Sequence, residues 1–323
     1  MTVRTSDGID GATMRGGGPT AGSERDRDEK DTATRGSARH TGPRPHEARS
    51  LRVSVALVAA VALTLGAGLA TADRGAAQAP AAKGAWKLVF NDEFNGKAVK
   101  PKYWNVRHRD YLPYDEAVIT GRRANVWTAQ GLLVMQARRE QAQTGSSGVR
   151  QYTTTYLDTI GKRSWHYGRF EMRAKLPSTV GTWPAFWLRA NRGGGEIDIL
   201  EGVGGRPELA HQAIFKSTND ASKNKTQNDF FFPRGTTTAQ WHTYGVIVAP
   251  ELVTWTIDGK PVFRAYAKDF PWLKDALNEP FNIRLNLQVG GSFPRYYGRS
   301  LSDQSLFPAR YIVDWVRVYQ RQL

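Results

Sequence analysis

Glu196, Asp198 and Glu201 lie within six residues of one another in the stretch Gly195-Glu196-Ile197-Asp198-Ile199-Leu200-Glu201-Gly202. Carboxyl groups this close do not all ionise cheaply. Like charge raises at least one pKa and leaves an acid able to donate a proton near neutral pH. An ionised carboxylate beside a carboxylic acid is the equipment of a retaining glycosidase, in which one attacks the anomeric carbon and the other, ~5 to 5.5 Å away, protonates the leaving oxygen. The spacing equally suits a solvated acidic strand edge or a calcium site. Calcium is the weaker alternative, because Ile197 and Ile199 offer no side-chain oxygen.

The acids need a rigid strand to hold them. In a regular strand residues 196, 198 and 200 share a face, so Glu201 would point into the core, where an unpaired carboxylate is costly. One extra residue at Ile199-Leu200, a β-bulge, returns Glu201 to the face of the other two. Ile197 and one of Ile199 or Leu200 then anchor the strand in the core. Just upstream, Trp183 and Trp187 in Gly181-Thr182-Trp183-Pro184-Ala185-Phe186-Trp187 face the same way, and both could offer rings to sugars. Most tryptophans taken singly are core residues. Burying all ten Trp of this chain would demand many indole N–H partners, so a carbohydrate cleft accounts for part of the surplus.

Around these residues the pattern is short and alternating. Strand-like runs cover 86–90, 132–137, 169–174, 183–188, 196–200, 211–216, 243–248, 252–257, 281–289 and 311–319, with Gly, Pro, Asn and Asp between them. Asp258-Gly259 between two such runs is a hairpin signal. No apolar stretch of helical period is long enough for a packed helix. The fold expected is an all-β antiparallel β-sandwich of jelly-roll, concanavalin-like type over 84–323, with surface loops at 221–234 and 291–306.

The first 83 residues differ in kind, because all 35 aromatic residues lie after Lys83. Residues 1–50 carry too little apolar surface to offset their ordering entropy and read as disordered. Residues 51–83 hold twenty uncharged residues, Val53 to Ala72, with arginines before and small-residue sites Ala70-Thr71-Ala72 and Ala77-Gln78-Ala79 after, the layout of an export signal. The same segment would just span a bilayer if uncleaved. The expectation is a secreted protein, or one attached to the membrane through residues 53–72 and facing outside, acting as a monomer. The absence of cysteine excludes disulfides, thiol nucleophiles and cysteine zinc sites, so a large β core must stabilise the domain.

At this point the sequence resembles glycoside hydrolase family 16, on its laminarinase-like endo-β-1,3-glucanase side. The resemblance rests on FNDEFNG (90–96), YGRFEMRAKLP (167–177), GTWPAFW (181–187), GEIDILE (195–201), WHTYGV (241–246), NLQVGG (286–291) and VDWVRVYQ (313–320). It implies that Glu196 is the nucleophile, Glu201 the acid/base and Asp198 the acid that tunes the nucleophile. It further implies sugar contacts from Asn125, Glu171, Arg173, Asn286 and Gln288 and stacking by Trp183 and Trp187. Chemistry needs no cofactor, but Glu93, the backbone of Gly131 and Asp314 match positions of a structural Ca²⁺. Two departures stand out. Phe215 falls where many members have a histidine, although a shift would put His211 in that role, and Val248-Ala249-Pro250 falls where a Trp is frequent; both would alter subsites beside the cleaved bond.

The partner implied is a β-glucan polysaccharide. A mixed-linkage glucan or β-galactan, hydrolysed or used for glycosyl transfer, remains open, as does a non-catalytic lectin, which would have no need of three acids. The formal net charge of +15, or +12 on 84–323, could suggest nucleic acid, yet the basic residues are scattered and no nucleic-acid fold motif is present. An acidic wall polymer is the better partner for that charge. HExxH, GxSxG and P-loop motifs are missing.

Overall fold

The computed structural model describes residues 84–108, 116–145, 148–217 and 224–321. The readings of residues 1–50 and 51–83, including the export segment, lie outside the described residues. Among those described, no helix is long and apolar enough to cross a membrane.

In chain order the strands are β1 (Trp86–Asp92), β2 (Asn105–Val106), β3 (Ala117–Ile119), β4 (Val126–Ala129), β5 (Leu132–Gln143), β6 (Val149–Thr154), β7 (Tyr156–Asp158), β8 (Gly168–Lys175) and β9 (Thr182–Ala190). There follow β10 (Glu196–Gly202), β11 (Leu209–Phe215), β12 (Lys225–Phe231), β13 (His242–Ala249), β14 (Leu252–Ile257), β15 (Lys260–Tyr266), helix α1 (Leu273–Ala276), β16 (Phe281–Val289), helix α2 (Ser292–Tyr296) and β17 (Ala309–Arg321). Among the described residues they form the expected sandwich. A ten-stranded sheet has the order β15-β14-β13-β8-β17-β5-β6-β3, with β1 added on β17 and β4 on β5; a seven-stranded sheet runs β12-β11-β10-β9-β16-β7-β2.

Alternation builds the core between them. Phe170, Met172 and Ala174 of β8, Ile283, Leu285 and Leu287 of β16 and Ile197 of β10 all contribute to one core and are buried. Their polar neighbours in sequence face outward. Asp258 and Gly259 both take positive φ, 50° and 74°, between β14 and β15, the backbone a two-residue hairpin requires.

Three expectations need correction. The pairing is not wholly antiparallel, since β3 and β6 run parallel. Within 221–234, Lys225–Phe231 is a strand rather than a loop, bonded along its length to β11. As an edge strand it has no apolar face to bury, so Lys-Thr-Gln-Asn-Asp carries no hydrophobic alternation. Within 291–306, Ser292–Tyr296 is a short helix whose Phe293 stacks on Trp183 of the seven-stranded sheet.

Candidate active site

The three acids stand on β10, in the middle of the seven-stranded sheet. Register shifts between Asp198 and Glu201 against β11, and between Asp198 and Leu200 against β9, place the bulge where the sequence requires it. Both Ile199 and Leu200 are buried, rather than one of them. A tryptophan of the opposite sheet secures this irregularity. Trp255 of β14 is fully buried, and its Nε1 donates to the carbonyl oxygen of Asp198 at 2.8 Å. Trp255→Phe removes the donor from a buried carbonyl and should cost about 1–3 kcal/mol of stability. Thermal melting and turnover measured together check this; a variant matching the parent in both would show that the indole does not hold the bulge.

Each acid has a different surrounding. Glu196 Oε2 accepts from Arg189 Nη1 at 2.8 Å, and Arg189 opposes the upward push of burial on the Glu196 pKa. Asp198 is fully enclosed, and burial followed by the charges of Glu201 and Glu196 holds its carboxyl well above the usual range. Glu201 is pushed up to about 8, by burial first, then by Glu196 and Asp229, against the Trp183 Nε1–H that donates to its Oε1 at 2.9 Å. At neutral pH Glu201 therefore keeps its proton, while Glu196 is the acid with a guanidinium beside it to favour its ionised form.

Strand register brings further side chains to this face. His211 of β11 stands opposite Glu201, and Phe215 opposite Glu196. His211 Nε2 is 3.8 Å from Glu201 Oε2, while its Nδ1 is 2.6 Å from Asp229 Oδ1. Tyr297 donates to the same Asp229 oxygen at 2.7 Å. Burial lowers the His211 pKa, so a neutral ring donating from Nδ1 to Asp229 turns its Nε2 lone pair toward the protonated Glu201. Asp229→Asn removes one of the charges that raise Glu201. The alkaline limb of kcat/KM should then move below about 8, and an unmoved limb in the pH profile would separate Asp229 from the acid/base.

Trp183 and Trp187 of β9 flank the acids. Trp183 stacks on Phe293 of α2 with centroids 4.7 Å apart, and Trp187 donates from Nε1 to Asn286 Oδ1 at 2.7 Å. Asn286 and Gln288 lie on the outward face of β16, opposite Ala185 and Trp183. Gln288 Nε2 is buried with no protein partner, a donor suited to a sugar hydroxyl. Gly291, at φ 93°, keeps the approach to it open, because a Cβ there would stand 3.1 Å from that nitrogen and 3.7 Å from the Trp183 ring. A cavity of 550 Å³ lined by Glu116, Arg139, Tyr152, Gly290, Gly291 and Arg295, among others, lies beyond this point and includes none of the three acids.

Other expected contacts do not assemble here. Asn125 is fully buried and spends its amide on Gln136 O and Thr153 Oγ1, at 3.0 and 2.9 Å. Glu171 and Arg173 sit on β8 of the other sheet, on its outer face, where Arg169 pairs with Glu171 and Asp314 with Arg173. Val248 of β13 is likewise in the ten-stranded sheet and buried in the core, so its substitution does not touch the acids. Nor do Glu93, Gly131 and Asp314 fit a structural Ca²⁺ as they are arranged. Arg317 grips Glu93 through two bonds of 2.8 and 2.9 Å and holds its carboxyl below the usual range, and Arg173 neutralises Asp314.

Several contributors escaped the sequence reading. Arg189 is two residues beyond Trp187, and Arg284 two before Asn286, so strand alternation alone could have found both. Asp229, Phe293 and Tyr297 lay in segments that read as loops.

The family model for glycosyl hydrolases family 16 matches residues 116–317. The chain is 32% identical over 254 residues to a beta-glucanase of Rhodothermus marinus, covering 73% of this chain and 85% of that protein. It is 31% identical to glucan endo-1,3-beta-glucosidase A1 of Niallia circulans, covering 73% of this chain but 38% of that longer protein. Among solved structures, the endo-beta-1,3-glucanase of Pyrococcus furiosus superposes with a TM-score of 0.67 at 28% identity, over 73% of this chain and 95% of that one. The chain belongs to glycosyl hydrolases family 16 and is a glycoside hydrolase of the endo-1,3-glucanase-like kind.

Proposed function

We propose that the protein is an endo-acting hydrolase of β-1,3-linked glucan that retains anomeric configuration, and that it works outside the cell. The observation that carries the reading is the pair of unlike carboxyl environments on one strand, with Glu196 accepting from the Arg189 guanidinium and Glu201 bonded to an indole N–H and pushed up to about 8. Glu196 attacks the anomeric carbon while Glu201 gives its proton to the departing glycosidic oxygen. Glu201, now a carboxylate, takes a proton from water, and the resulting hydroxide equivalent releases the sugar from Glu196. Asp198, whose carboxyl is held well above the usual range, is favoured in its neutral form beside the nucleophile. Trp183, Gln288 and Asn286 provide the apolar and polar contacts along the chain of sugars.

The β-glucanase and endo-1,3-glucanase names of the relatives support a glucan backbone. A mixed-linkage backbone has support in an endo-1,3-1,4-beta-glycanase of Rhizobium meliloti at 26% identity. The test is product analysis by mass and by NMR on laminarin, curdlan and mixed-linkage glucan. Oligosaccharides released first as the β-anomer from β-1,3-linked substrates are expected. Initial α-anomer, or cleavage of 1,4 bonds alone, would overturn the reading. The uncharged stretch Val53–Ala72 supports export, and N-terminal sequencing of protein recovered from culture medium tests it.

A further inference from the structure

The face that carries the acids also carries a surplus of positive charge that a neutral glucan leaves unused. Across the sheet, Asn282, Arg189, Glu196, Phe215 and Lys225 stand in one register row, and Arg284 lies in the next row, opposite Trp187. Arg189 is paired with Glu196 at 2.8 Å. Arg284 lies over Trp187, its guanidinium carbon 4.7 Å from the ring centroid, and its Nε donates to Asn282 Oδ1 at 2.9 Å. The nearest candidate to neutralise it, Asp158 across the strand on β7, is instead held by Arg107 and Asn105. Arg284 forms no ion pair among the described residues, and neither does the exposed Lys225.

The balance of charge beside the nucleophile is therefore positive. Burial favours the neutral forms of Asp198 and Glu201, Asp229 is engaged by His211 and Tyr297, and Glu196 stands against the two guanidinium groups of Arg189 and Arg284. Arg284 is held from two sides, by the Trp187 ring and by Asn282, which takes only Nε, so the two terminal nitrogens are available to grip a pair of oxygens. Sugar hydroxyls already have Asn286 and Gln288. A second guanidinium near a nucleophilic carboxylate also weakens attack, since it stabilises the ionised ground state. An anion on the substrate would engage Arg284 and compete for Arg189, relieving that stabilisation as the substrate binds.

We propose that the preferred substrate is an anionic β-glycan, in which the sugar seated beside Glu196 bears a carboxylate or a sulfate ester recognised by Arg284 with Arg189, while Lys225, on the edge strand of the same face, adds longer-range attraction. This rests on the endo-β-glucanase reading for the backbone and adds its charge. The test uses β-1,3-gluco-oligosaccharides of one length in three forms, unmodified, oxidised to carboxylate at C6, and sulfated. Binding is followed by calorimetry and cleavage by initial rates, for the parent, Arg284→Gln and Lys225→Gln, at 20 mM and 500 mM NaCl. One anionic form should bind and turn over at least tenfold better than the neutral one, and which form does so names the substituent. The preference should fall about tenfold in Arg284→Gln, fall in part in Lys225→Gln, whose exposed side chain leaves folding intact, and shrink with salt.

Equal binding of neutral and charged forms, preference for the neutral form, a preference indifferent to both substitutions, or binding of none of the three would overturn the proposal. The two readings fail separately. Tighter binding of a charged form without cleavage of any β-1,3 bond would sink the glucanase reading and keep the charge inference, whereas cleavage without charge preference would do the reverse.

Discussion

Glu196→Gln is expected to lower kcat/KM on laminarin by about four orders of magnitude or more, because nothing else on the face can form the covalent intermediate. Glu201 is engaged by Trp183, and Asp198 is enclosed, with burial and its two acidic neighbours holding its carboxyl well above the usual range. The glutamine carbonyl can still accept from Arg189 Nη1, which now reaches Glu196 at 2.8 Å. The fold should therefore survive, and circular dichroism with a thermal melt checks that it does. Initial rates on a soluble glucan decide the matter. A variant that keeps more than a tenth of parental activity would remove Glu196 from the role of nucleophile.

The second large effect belongs to Glu201→Gln and has two parts of opposite sign. Without a proton donor, kcat/KM on a glucan should fall by about 10²–10⁴. The loss should be much smaller on an aryl glycoside whose leaving group needs no proton. Parent kcat/KM should itself decline as pH rises through about 8, where Glu201 loses its proton, and this limb should be absent in the variant. Stability should move the other way. The folded pKa of Glu201 is raised from 4.5 to about 8, so its neutral form favours the fold fully below pH 4.5, and that contribution is lost as pH rises through 8. The variant has no such loss. Relative to the parent it should gain up to a few kcal/mol between pH 5 and pH 9, since each tenfold change in proton affinity on folding is worth about 1.4 kcal/mol. Denaturant titrations at the two pH values measure it, and an equal gap at both would mean that Glu201 is not perturbed.

Much of the site was legible because it is written in one strand. Glu196, Asp198 and Glu201 share a face only through a bulge, and the cost of burying Glu201 was enough to locate it. Trp183 and Trp187 followed from alternation along one strand, and Asn286 and Gln288 from the family resemblance. Glu171 and Arg173 show where such reading stops. Alternation tells which side of a strand meets solvent, but both sheets of a sandwich have a wet face, and nothing local to β8 says that it belongs to the ten-stranded one. Asn125 failed differently, since a polar side chain can satisfy itself on neighbouring backbone as readily as on a sugar. Asp229 and Tyr297 were hidden because edge strands and short helices carry little hydrophobic period. They reach Glu201 by way of His211 and by the charge of Asp229, a set of contacts that exists in three dimensions and not in spacing.

The hydrogen bond from Trp255 to the Asp198 carbonyl joins the two layers of the sandwich at the point where catalysis is set up. Interior and reaction thus share one alignment. Trp255 is itself packed on Phe263 of β15, with centroids 4.8 Å apart, so the catalytic strand takes its position from the far edge of the other layer. A slight slide of one layer over the other, too small to unfold the protein, would turn the acids out of line. Turnover then works as a gauge of interlayer slip, and on warming the upper limit of activity should be reached while the strands of both layers are still intact.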